Sequence, residues 1–448
     1  MLNLHAMKNI KSAKIIHLTL VLIITFFSCA NDEGSITKIP EPIVLSFELV
    51  VSQQNTLRIT ANNTSTGING LNSYWQFTEN GPKVTDEAGP EMHLYDASGD
   101  YLVTLTVEAP EGDIQLSKTV TVTDSNEMQP PLKDATNSFS VGMAVKSSQL
   151  NTQHSDILIR EFNNLTAEFE MKMNIMYPSQ GNYDFTAADA IVNYGVDNNM
   201  NIHGHTLIWH TATPEWVNNF SGTDEEFEDM IEDYITTVVT RYAGVVRSWD
   251  VVNEAIEDNT NNLRNSVFRQ RMGDDYISKC YQFARNADPN ALLFYNDYNI
   301  TFDVGKQEAT FAIVDDLRSK NLIDGIGAQM HIDIFFPSAT QIQSIIDGTV
   351  SRGLKMHFAE LDVRVNPNND LTFLTEARAI AQQNKVREVV ELYNAIPDAN
   401  KFALTVWGMR DSETWLIDFW GQPDWPLLYD DIFKPKLAHK GFLEALDN

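Results

Sequence analysis

Apolar and polar positions follow three different patterns along the chain. Over residues 43–124 the segments IVLSFELVV, TLRITANN, NSYWQFTE, DYLVTLTVEA and LSKTVTVTD alternate with a period of two and are rich in β-branched residues. Gly, Asn and Pro clusters divide them, and short strands at this spacing predict a small β-sandwich. From about residue 132 strand-like and helix-like runs alternate. The clearest helix is FEDMIEDYITTVVTRYAG, where Phe227, Met230, Ile231, Tyr234, Ile235, Val238, Val239 and Tyr242 recur at helical spacing and Gly244 supplies a stop. Eight runs read as strands: FSVGMAV, NNLTAEF, NIHGHTLIW, SWDVVNE, LLFYNDYN, GIGAQMH, KMHFAELDV and FALTVWG. Eight strand–helix repeats predict a (β/α)8 barrel. The third pattern is a continuous apolar stretch, IIHLTLVLIITFF, preceded by Lys8, Lys11 and Lys14.

That last pattern is a secretory leader rather than part of the fold: a basic region, an apolar region and a small residue before a cut. Ser28-Cys29 resembles a lipobox, which implies lipidation of Cys29 as the mature N-terminus. Asp32-Glu33 resembles the acidic export tag of surface lipoproteins in Bacteroidetes. The expected location is therefore outer membrane and cell surface, with membrane contact only through the lipid at Cys29. Translation starts at Met1 or at Met7. The expected divisions are a signal peptide at 1–28, a tether at 29–42 with Pro40 and Pro42, the sandwich at 43–124, a linker at 125–131 with Pro130-Pro131, and the barrel at 132–448. After Cys29 only Cys280 remains, so no intrachain disulfide forms. Cys280 reads as a buried helix residue.

Charge narrows the partners. With 61 acidic against 32 basic residues the formal charge is −29, which excludes nucleic acid as a partner and suits a secreted protein acting on a neutral polymer. The acidic residues are scattered and read mostly as solvated surface.

Nearly every barrel strand ends in residues able to do chemistry, and barrel active sites lie at the C-terminal strand ends. Glu254 closes the fourth run and Glu360 the seventh. Two carboxylates across one barrel mouth suit glycoside hydrolysis, with one neutral to protonate the leaving oxygen and the other ionised. Asp362 follows Glu360 by two on the same strand face, so with His331 it can orient Glu360. Gln329 shares the face of His331, and Asn296 and Tyr298 close the fifth strand, with Tyr298 expected to reach the nucleophile. A zinc reading of His203-Gly204-His205 with His210 would place an H-x-H motif on the third run. The matching barrel amidohydrolases carry it on the first strand, and their further Lys and Asp are not evident, so no metal and no cofactor is expected.

The motifs LTAEFEMK, GHTLIWH, WDVVNEA, YNDYN, GIGAQMH, AELDV and VWGMRDSETW, in this order, resemble the family 10 glycoside hydrolases, the retaining endo-β-1,4-xylanases, from about 132 to 448. The resemblance implies Glu254 as general acid and then base, and Glu360 as nucleophile. Retention implies carboxyl groups about 5–5.5 Å apart. It implies Asn253 on the sugar 2-hydroxyl, and Glu168, Lys172, His205, Trp209, Trp407 and Trp415 around the sugars on the non-reducing side. Core packing is the alternative reading of each Trp. The substrate expected is xylan or xylo-oligosaccharide, beside neighbouring glycan-uptake proteins.

Two departures stand out. Where the family reads E-N-x-M-K-W, this chain has Glu168-Phe169-Glu170-Met171-Lys172-Met173. Where it reads W-H-x-Q, this chain has Trp209-His210-Thr211-Ala212. Two sugar-binding amides are missing, so Phe169 and Ala212 mark a reshaped subsite. Within residues 43–124, NTSTG, SYWQF and LYDASGDYLVTLTVEA resemble a PKD-type immunoglobulin-like module, a spacer or carbohydrate binder in which Trp75 reads as core. Two other functions remain open: a β-1,4-glucanase or mixed-linkage enzyme on the same barrel, and a non-catalytic glycan-binding lipoprotein. The intact carboxylate pair argues against the second.

Overall fold

The computed structural model describes residues 42–52, 57–86, 89–123 and 130–446. The signal peptide, Cys29 and all but the last residue of the tether lie outside the described residues, as do 124–129. The chain divides into two units, 1–127 and 128–448.

The first unit holds β1 (Phe47–Val51), β2 (Arg58–Asn63), β3 (Ser73–Gln76), β4 (Val84–Thr85), β5 (Glu91–Leu94), β6 (Gly99–Ala109) and β7 (Gly112–Val122). One antiparallel sheet runs β1-β2-β5 and a second β4-β3-β6-β7. Strands β4 and β5 had no clear signal in the alternation. β4 has two residues, and in β5 Met92 and Leu94 face outward, so its apolar face is not the buried one. Trp75 is fully buried, packs edge-on against Phe47 at 5.1 Å and donates its indole N–H to Asp86 at 2.9 Å. It is a core residue of the sandwich, as expected, and not a surface aromatic.

The second unit is a closed parallel barrel. Its strands are β8 (Ser140–Val145), β9 (Asn164–Ala167), β10 (Asn201–Gly204) with β11 (Ile208–Trp209), β12 (Ser248–Asn253), β13 (Leu292–Asp297), β14 (Gly325–Ala328) with β15 (His331–Asp333), β16 (Lys355–Arg364) and β17 (Lys401–Val406). β17 pairs with β8 and β10 with β12, which closes the ring. Each expected strand run maps onto one stave. The staves are buried on both faces because helices cover the outside. The helix Asp224–Arg241 buries the expected apolar stripe. It starts with a capping box in which the Thr223 hydroxyl accepts from Glu226 N–H and the Glu226 carboxylate accepts from Thr223 N–H.

The ladder loses register at two places that matter. One shift lies between Asp250 and Val252 on β12, the other between Phe358 and Leu361 on β16. Bulges of this kind re-aim side chains, and here they fall just before Glu254 and across Glu360.

Candidate active site

Glu254 follows the last residue of β12 with φ of 56°, a left-handed conformation unfavourable for a side chain of this size. Its amide donates to Asn296 O at 3.0 Å, and Arg264 Nε donates to its carbonyl at 3.2 Å, so partners on both sides hold the turn. The carboxylate accepts from Trp209 Nε1 at 2.8 Å and from Gln329 Nε2 at 3.1 Å. Burial, reinforced by the charge of Asp297, outweighs these donors and pushes the carboxyl up to about 7. Glu360 adds further repulsion. Glu254 is therefore largely protonated in mildly acidic solution.

Glu360 has the opposite poise. Burial would raise it, but the hydrogen bond from His331 and the neighbouring His205 together hold it below the ordinary carboxyl range. His331 Nε2 lies 3.0 Å from Glu360 Oε2, and its Nδ1 lies 2.8 Å from Asp362 Oδ2. Burial works against the charged imidazole, yet Asp362 and Glu360 raise it to about 10. The imidazolium thus keeps Glu360 ionised and aimed, while Trp415 Nε1 donates to the same Asp362 oxygen, Oδ2, at 3.1 Å. One buried carboxyl is neutral and its neighbour charged, which is the division of labour an acid and a nucleophile need.

A chain of side-chain amides joins the pair. Gln329 Nε2 donates to Glu254 Oε1 at 3.1 Å and to Asn253 Oδ1 at 3.3 Å. Asn296 Nδ2 donates to the same Asn253 oxygen at 3.1 Å and to Glu360 Oε1 at 2.7 Å. Every link is a neutral amide, so the relay fixes geometry without adding charge. Its packing depends on Gly327 of β14, where a methyl group would sit 2.5 Å from Asn296 Oδ1.

The carboxylates face a cleft of about 840 Å³. Of the expected residues, Glu168, Phe169, Lys172, His205, Trp209, Asn253, Tyr298, Gln329, His331, Trp407 and Trp415 also line it. Lys172 Nζ stands 4.7 Å from the Trp209 ring centre and 4.9 Å from that of Phe169. Burial lowers its basicity, and Glu360, Glu168 and Glu254 offset part of that. Phe169 is 45% exposed and carries Lys146 at 5.3 Å as well. Asn296 and Asp362 are buried behind the cleft and act through Glu360 and His331.

Two expectations need correction. The Tyr298 hydroxyl is not bonded to Glu360: it donates to Asp258 Oδ2 at 2.5 Å and accepts from Arg264 Nη2 at 3.2 Å. Both partners come from the loop after β12, which offered the hydroxyl a charged acceptor outside the barrel axis. Ala212 does not border the cleft but is buried in the short turn His210–Ala212. Met173 is likewise buried in the core. The histidines of the H-x-H motif both face Asp250, His203 Nε2 at 3.0 Å and His205 Nδ1 at 2.9 Å from the same oxygen.

Sequence reasoning missed Asp250, which orients His205 from four residues before Glu254. It also missed a hub under the acid: Lys306, wholly buried, lies 3.0 Å from Asp297, 3.1 Å from Asp258 and 3.4 Å from the Tyr298 ring centre. Asp297 stands openly between Asn296 and Tyr298 in YNDYN. Its strand-end position was the available signal.

Comparison with known proteins agrees with this geometry. A glycosyl hydrolase family 10 profile matches residues 132–445, and a PKD domain profile matches 43–122. The chain is 37% identical over 373 residues to the endo-β-1,4-xylanase Xyn10C of Cellvibrio japonicus, across 75% of this chain and 61% of that protein's length. It is 37% identical over 312 residues to endo-1,4-β-xylanase B of Paenibacillus barcinonensis, across 67% of this chain and 93% of that protein. The solved structure of a family 10 glycoside hydrolase from Paenibacillus barcinonensis matches with a TM-score of 0.68 at 33% identity, covering 71% of this chain and 97% of that one. With the barrel, the strand-end carboxylates and these relatives taken together, the chain belongs to glycosyl hydrolase family 10.

Proposed function

We propose that the protein is an endo-1,4-β-xylanase that cleaves internal bonds of xylan with retention of configuration. The observation that carries this reading is the opposed poise of Glu254 and Glu360 across one amide relay. In the first step Glu254 gives its proton to the glycosidic oxygen while Glu360 attacks the anomeric carbon and the bond to the leaving chain breaks. The product is a covalent glycosyl-enzyme. Esterification removes the charge of Glu360, which had helped keep Glu254 protonated, so Glu254 becomes the stronger acid, stays ionised after giving up its proton and is ready to act as the base. It takes a proton from water, the water oxygen attacks the anomeric carbon, and Glu360 leaves. Asn253, between the carboxylates, is placed to bond the 2-hydroxyl as the oxocarbenium ion develops.

Product analysis on glucuronoxylan, arabinoxylan, mixed-linkage xylan and carboxymethylcellulose tests this. Short xylo-oligosaccharides from xylan are expected. Cleavage of cellulose alone would move the activity to a β-1,4-glucanase, and retained binding without products would make the protein a receptor. The proposal includes a lipid anchor at Cys29, display on the outer membrane beside glycan-uptake proteins, and residues 43–124 as a spacer. Loss of radiolabelled palmitate and of membrane association in Cys29→Ser is the check on the anchor.

A further inference from the structure

Two large aromatic side chains beside the cleft serve no role in the chemistry above. Phe419 is 64% exposed and Trp420 53% exposed, although both border the catalytic cleft. They sit on the short helix Leu416–Trp420 after β17, which is rooted by buried Leu416 and closed by Gly421 at φ of 65°. A fold has no internal reason to leave adjacent Phe and Trp rings in water, so such a patch points to a ligand.

The rings are mounted rather than loose. Phe419 packs 5.0 Å from Trp415, whose indole N–H is bonded to Asp362, and Trp420 meets Phe419 at 5.1 Å. Below Trp420 the Arg364 guanidinium lies 4.6 Å from the ring centre. Arg364 is itself fixed by Asp424 at 3.1 Å, and Asp424 also accepts from the amides of Val365, Asn366 and Trp425. One end of the aromatic run is therefore tied to the residue that orients the nucleophile's histidine. The other end is tied to the top of β16, the strand carrying Glu360.

We infer that Phe419 and Trp420 form a distal subsite that stacks a backbone sugar ring of the same polymer chain whose scissile bond lies between Glu254 and Glu360. Three observations select this occupant. The rings continue the wall of the substrate cleft. Their flat faces match the apolar C–H faces of a pyranose. The packing of each ring against a neighbour limits the conformational freedom lost on binding. A subsite here also supplies grip on a chain whose hold near Phe169 lacks an amide. The inference rests on the xylanase reading.

The test uses the full chain and linear, undecorated xylo-oligosaccharides of increasing length. kcat/KM is measured for wild type, Phe419→Ala, Trp420→Ala, the double variant and Trp420→Phe. Wild type is expected to gain with length, and the double variant to lose about tenfold on the longest substrate, as two stacking contacts imply. It should retain turnover of an aryl β-xylobioside within about twofold by the same reasoning. Trp420→Phe, which keeps a flat ring, should recover most of the loss and also reports that the loop is folded. An equal loss at every length, or no loss at any, overturns the subsite. So does a loss seen only on decorated xylan, because the ring bound would then be a side group. Failure of wild type to cleave any of these oligosaccharides would instead overturn the activity, which keeps the two questions separate.

Discussion

Glu254→Gln is the most informative single change, because it separates stability from catalysis. In the folded protein the carboxyl of Glu254 is raised from 4.5 to about 7 by burial, Asp297 and Glu360. The folded state therefore binds this proton more tightly than the unfolded chain does. Stability is fully retained below the unfolded value and falls as pH rises from about 4.5 to about 7. Each tenfold change in proton affinity corresponds to about 1.4 kcal/mol, so between pH 5 and pH 8 wild type loses about 2–3 kcal/mol through this group. Glutamine has no proton to lose. It also turns an amide N–H toward Trp209 or Gln329, and that penalty is independent of pH and cancels in the comparison. For a barrel of roughly 310 residues the difference corresponds to a midpoint change of about 4 °C. Thermal unfolding of both proteins across this range is the assay. The gap in melting temperature should move in favour of Glu254→Gln as pH rises, while xylan hydrolysis is lost. Parallel curves would refute the reasoning, since they would mean that Glu254 titrates alike in both states.

His331→Asn should move the acid limb of the kcat/KM profile to higher pH, because Glu360 loses the imidazolium that holds it ionised. The same variant should lose about 10–100-fold in kcat from one charged hydrogen bond, with the alkaline limb of Glu254 still near 7. Lys306→Met should destabilise the barrel by about 3–5 kcal/mol, read from denaturant unfolding, because it leaves Asp297 buried without its cation, still bonded by the Tyr295 hydroxyl and the Tyr298 amide. Phe169→Asn should improve cleavage of short linear xylo-oligosaccharides about fivefold, as one regained polar contact implies, and shift the product pattern in chromatography. An unchanged pattern would mean that Phe169 does not shape the sugar path.

The barrel was legible because its staves are short, mostly apolar and end in chemical residues. KMHFAELDV and SWDVVNEA announce both a buried strand and a carboxylate at its mouth. The His331–Asp362 pair was legible from alternation, since residues two apart on a strand share a face. The hub around Lys306 was not. A lysine in the first turn of a helix reads as surface, and only the fold turns it back against Asp297 at the end of the strand before that helix. The direction of Tyr298 was hidden for a related reason: Asp258 and Arg264 lie in a loop without periodicity. Ala212 failed differently, because its position was inferred from what another residue does there, and an alanine cannot reach where a longer amide would. In the sandwich, β5 escaped notice because its larger apolar side chains face outward.

The central claim is that Glu360 attacks and Glu254 serves the proton. Incubating the protein with an activated 2-deoxy-2-fluoro xylobioside, which forms the glycosyl-enzyme but releases it slowly, and then mapping the labelled peptide by mass spectrometry tests it directly. One 2-deoxy-2-fluoro-xylobiosyl unit is expected on Glu360, in the peptide containing HFAELDV. A label on Glu254, or rapid turnover that gives inverted product with no covalent adduct, would contradict it.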